Sequence, residues 1–102
     1  MPDFLDSLTD NERELARYLL ADISDEDGER IALQTLLSED YWRQVEQMEL
    51  RLIEASIRGL LSKRDSDLFS QFFLVSPERK LMHGMLDALI TIQKKRGRPK
   101  KD

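Results

Sequence analysis

The stretch that most constrains this chain is SEDYWRQVEQMELRLIEASIRGLL, residues 38–61, which has a helical period but is apolar on more than one face. Trp42, Val45, Met48, Leu52, Ala55 and Gly59 recur at spacings of three and four and form one stripe. Leu50, Ile53, Ile57, Leu60 and Leu61 form a second stripe beside it. Such a helix has to be covered on two sides, by the rest of a small domain or by another copy of the chain. Ser38 supplies its N-cap.

The flanking segments are also helical in pattern. Thr9 with Glu12 three residues later has the form of a capping box, and Leu15, Tyr18 and Leu19 then recur with helical spacing, which predicts a helix over about 10–22. Ser24 before Asp25, Glu26 and Asp27 predicts a second helix to about Leu37, its early carboxylates offsetting the positive end of the dipole. Lys63-Arg64-Asp65-Ser66-Asp67 breaks the pattern, and an apolar segment from Leu68 to Val75 follows; its Phe72-Phe73-Leu74-Val75 reads as extended, although no alternating run or Asn-Gly turn accompanies it. Ser76-Pro77-Glu78 is a strong helix start, and the last helix carries Leu81, Met82, Met85, Leu86, Leu89, Ile90 and Ile92 before it dissolves into basic residues.

The expected architecture is therefore all-α: a small helical domain with a central antiparallel pair of long helices, two shorter N-terminal helices and a disordered basic tail. Trp42, Val45, Leu52, Ile53, Ile57, Leu60, Met85 and Leu89 are the candidates for its core or oligomer face. Gly59 and Gly84 mark either close helix approach or simple tolerated glycines.

Charge divides the chain more sharply than periodicity does. Residues 1–40 hold 12 acidic and 3 basic side chains, residues 41–93 hold 7 of each, and residues 94–102 hold 6 basic and 1 acidic. A total of 102 residues suits one domain, here 1–93, followed by the tail 94–102. With no cysteine there is no disulfide or thiolate chemistry, and a reducing compartment is expected. No apolar run approaches the roughly 20 residues of a membrane span, and MPDFLDSLTD lacks the layout of a secretion signal. The expected location is the cytoplasm, that of a host if the protein is viral.

Catalysis finds no constellation to support it. The acids are spread over exposed-looking helix faces, and His83 is the only histidine, without singled-out carboxylate partners for a metal. Asp25-Glu26-Asp27-Gly28-Glu29 fails as a calcium loop on spacing: a loop begun at Asp22 puts Asp27 at the glycine position and Leu33 at the bidentate position. There is no glycine-rich phosphate loop or Gly-x-Ser-x-Gly elbow. The expectation is a protein that is not an enzyme and uses no cofactor or metal.

The tail points elsewhere. Arg96-Gly97-Arg98-Pro99, with Lys94 and Lys95 before it and Lys100 and Lys101 after it, resembles the AT-hook over Lys94–Lys101. The resemblance implies an extended segment in the narrow minor groove of A·T-rich DNA, with Arg96 and Arg98 along the floor and the lysines on phosphates. Each residue type suits such binding. A glycine lets the backbone approach closely, a proline limits the entropy lost on ordering, and arginines suit a narrow electronegative groove. The same run also fits a solubilising tail, a localisation signal or a nonspecific nucleic-acid patch. With about six cations the slope of log K against log salt reaches only about −5, so one tail alone holds DNA weakly and a homo-oligomer would supply avidity.

The layout of Trp42–Leu61 paired with Pro77–Ile92, ahead of a basic tail, is also similar to small helical proteins of tailed bacteriophages, including small terminase subunits. That similarity implies ring-forming proteins of DNA packaging, which often read DNA with an N-terminal helical module. The acidic head departs from that pattern and leaves the tail as the DNA contact. The other reading is a protein-interaction adaptor, inhibitor or assembly factor, in which the acidic head or the Met-rich last helix docks a partner.

Overall fold

The computed structural model describes residues 3–97, with side chains through Lys94. Among these residues the chain forms five α-helices: α1 (Asp10–Leu19), α2 (Asp25–Leu37), α3 (Glu39–Ile57), α4 (Lys63–Leu68) and α5 (Pro77–Gly97). A 3-10 turn at Leu5–Ser7 precedes α1, and a π-helical turn at Phe69–Phe73 continues α4. No strand occurs among the described residues, so the chain is all-α.

Side-chain caps start these helices where the sequence places them. Thr9 Oγ1 accepts from the Glu12 amide while Glu12 accepts from the Thr9 amide, a complete capping box. Ser24, Ser38 and Ser76 cap α2, α3 and α5 by the one-way bond alone, each hydroxyl accepting from the amide three residues on. Ser62 caps a helix not expected from the sequence: residues 63–68 are helical rather than a break, and Phe72–Val75 lie in and just after the π-helical turn rather than in an extended run.

Two helices end earlier than their apolar spacing suggests, both by a left-handed residue. After α3, Gly59 has φ 71°, its amide donates to the Ser56 carbonyl, and the Leu60 amide donates to Ala55. That pattern ends α3 at Ile57 and places Gly59 outside the helix. A Cβ at Gly59 or Gly84 would touch nothing, so neither glycine marks a close approach. α1 closes identically, with the Ala21 amide on Tyr18 and the Asp22 amide on Arg17, but its left-handed residue is an alanine at φ 57°.

The core lies between α1, α2, α3 and the π-helical turn. Leu5, Leu20, Ile31, Leu52, Ile53, Phe69 and Phe73 are sealed from water, and the two phenylalanine rings stack with centroids 4.7 Å apart. The long helices α3 and α5 pack on each other, with Met82 and Leu86 against the core. Arg79 fixes the start of α5: its Nε donates to Glu49 on α3 at 3.1 Å, and its guanidinium lies over the Phe73 ring at 4.2 Å. A radius of gyration of 15.3 Å, against about 13 Å for a compact chain of this length, makes the molecule elongated.

The N-terminal segment is tied to the α3–α4 connection. The Phe4 amide donates to Leu60, the Ser62 amide donates to Asp3, and Asp3 in turn lies against the buried Asp65. Burial, then the hydrogen bond and charge of Asp3, raise the Asp65 carboxyl above the ordinary range; Ser62 and Arg17 oppose them. Since folding raises this value, the contribution favours the fold below the ordinary carboxylate range and is lost as the pH rises through the folded-state value.

Two outcomes are expected from these geometries. Ala21→Gly removes the left-handed strain and is expected to raise the unfolding free energy by about 1 kcal/mol, read from urea midpoints at unchanged slope. A lower midpoint would mean the methyl group contributes more than its strain costs. Asp65→Asn is expected to raise the thermal midpoint at pH 7, a gain that shrinks as the pH falls below the ordinary carboxylate range; a pH-independent difference would contradict the buried carboxyl as its source.

Candidate functional site

α5 presents three different faces. Arg79, Met82, His83, Leu86 and Ile90 turn toward the domain and are half-buried or buried. His83 lies against Phe69 with ring centroids 6.1 Å apart, which makes it a packing residue at the edge of the core. Lys80, Gly84, Asp87, Thr91 and Lys94 form an exposed polar face. The third face is apolar and uncovered: Leu81, Met85, Leu89 and Ile92 are 65%, 59%, 55% and 47% exposed. Their spacing of four, four and three holds them within one narrow arc of the helix, and the exposed Ala88 borders them.

The residues predicted as a core or oligomer face therefore separate into two groups. Val45, Leu52 and Ile53 belong to the core, and Ile57 packs half-buried against it. Trp42, Leu60, Met85 and Leu89 stay in water. Trp42 sits at the start of α3 beside Leu36 and Leu37, which end α2 and are among the most exposed apolar side chains of the molecule. Leu81 and Ile92 complete the α5 strip, and periodicity alone did not single them out. The available signal was the absence of charge on that one arc from Leu81 to Gln93, which is visible only when the last helix is divided into faces.

The strip leads into the basic run. α5 carries Lys94, Lys95, Arg96 and Gly97 as helix, so its final turn belongs to the hook-like segment. A glycine ending a helix with a proline two residues on is ordinary helix punctuation. Arg98, Pro99, Lys100 and Lys101 lie outside the described residues.

Elsewhere several arginines pair with carboxylates on other helices. Arg51 pairs with Glu12 across α3 and α1 at 2.7 Å, Arg30 with Glu14 across α2 and α1 at 2.8 Å, and Arg64 reaches both carboxylate oxygens of Asp22 at 2.9 Å. Arg64, with a smaller contribution from Arg17, holds the Asp22 carboxyl below its ordinary value. A groove of about 280 Å³ opens between Thr35, Trp42, Glu46, Glu49 and Arg79, and its one base, Arg79, is already paired with Glu49. Among the described residues no group of three or more His, Cys, Asp or Glu is arranged for a metal, and no helix is long and apolar enough to cross a membrane.

No protein-family model, curated protein or solved structure matches this chain.

Proposed function

We propose that this chain is a non-enzymatic DNA-binding accessory protein that contacts DNA through Lys94–Lys101, with phage DNA packaging of the small-terminase kind as the setting its layout suggests. The observation that carries the reading is the run Arg96-Gly97-Arg98-Pro99 between paired lysines at the end of the longest helix. The acids Glu12, Glu14 and Asp22 of the head are engaged by Arg51, Arg30 and Arg64 of the body, so these three are not free to hold the tail. For the hook to lie extended, Arg96 and Gly97 must leave the last turn of α5, where helix ends fray at little cost.

A second reading rests on a separate observation. Leu36 and Leu37 at the end of α2 are 81% and 77% exposed beside Trp42, an apolar corner that suits a protein partner. In that reading the body is the working part, as an adaptor, inhibitor or assembly factor. Removing residues 94–102 separates the two: the first loses DNA binding with the fold intact, and the second keeps its partner.

The direct test is binding to A·T-rich and G·C-rich duplexes across a salt series. The expected result is a preference for A·T that disappears in the Arg96→Ala/Arg98→Ala variant, with the salt slope reduced by about 2. Binding that is absent at low salt, or indifferent to both arginines, would sink the hook.

A further inference from the structure

The uncovered face of α5 is uniform in a way that selects its partner. From Leu81 to Gln93 its arc carries no charge, and the first charges met on either side are Glu78 toward the N-terminus and Lys95 and Arg96 toward the C-terminus. The strip extends about 16 Å along the helix. Its area is on the order of a few hundred Å², the size at which an exposed patch marks an interaction surface.

We propose that this face is covered by the same face of a second copy of the chain, with the two α5 helices antiparallel. A two-fold axis beside position 87 sets Met85 opposite Leu89 of the partner subunit, and so also Leu89 opposite the partner's Met85. The same axis brings Ile92 beside the partner's Leu81 and the Glu78 position opposite the partner's Arg96 position. Acid thus meets base at both ends of a continuous apolar seam. A parallel pair would instead set Glu78 beside the partner's Glu78 and basic run beside basic run, with like charges adjacent at both ends. Ala88 near the axis leaves room for the helices to approach. A symmetric pairing also closes on itself, so it ends at two copies.

Sedimentation equilibrium of the full chain tests the pairing. A seam of four side chains per copy is small for a stable dimer, so the mass is expected to climb from monomer to dimer at concentrations on the order of 10–100 µM. Met85→Glu is expected to hold it at the monomer mass with unchanged helical circular dichroism, while Lys80→Glu on the polar face leaves the dimer intact. The chain has no cysteine of its own, so substituted cysteines report orientation directly. A mixture of Glu78→Cys and Arg96→Cys copies is expected to form the mixed disulfide, and Glu78→Cys alone is expected to form none. A monomer at every concentration, a dimer that survives Met85→Glu, or a Glu78→Cys homodimer would overturn the proposal.

Absence of DNA binding beside an intact dimer would remove the DNA reading alone. Binding without any dimer would remove the pairing alone.

Discussion

Leu52 and Ile53 are neighbours in sequence, about 100° apart around α3, and both are sealed from water. That double burial is the constraint on which the other elements depend. α1 brings Leu15, Ala16 and Leu19 to the core around α3, and the π-helical turn brings Phe69 and Phe73. Each fully buried Leu, Ile or Phe contributes about 1.5–3 kcal/mol, so these contacts outweigh the weaker preferences of the connecting segments. The stacked rings explain why an unusual turn persists there: a widened helical turn has poorer backbone geometry, and it is retained where the side chains it presents are well buried.

The ion pairs act differently. Most lie at the surface, where each contributes little to stability, yet they join segments distant in sequence: Arg51 to Glu12, Arg64 to Asp22, Arg79 to Glu49. Their effect is to set which helix meets which, and to offset part of the acidic excess of residues 1–40 with arginines of the body. The charge asymmetry seen along the sequence is thereby softened within the folded domain and left sharp at its C-terminal end.

Most local signals were legible in the sequence, the Ser62 cap being the one missed, and non-local ones were not. Thr9 with Glu12, and Ser24, Ser38 and Ser76, act on amides three residues away, so their roles could be read from spacing alone. Leu68–Val75 has no apolar period; it continues α4 and coils with Phe69 and Phe73 buried in the core and Phe69 beside His83. The stop at Ile57 depends on Gly59 adopting a left-handed backbone, which an apolar stripe continuing through Leu60 and Leu61 conceals. The same limit applies to the candidate site. Met82, Leu86 and Ile90 differ from Met85, Leu89 and Ile92 in nothing but angular position, and which set is covered depends on what the rest of the chain brings to α5.

Because α5 is helical through Gly97, the basic run is not hung on a free tether. Its point of departure has an angular phase, locked to the apolar strip by a rotation of about 100° per residue. Adding one residue between Ile92 and Lys94 would leave composition, charge and reach almost unchanged, yet it would swing the exit of the run by more than a quarter of a turn around the helix. The direction in which the chain leaves α5 is thus encoded in a residue count.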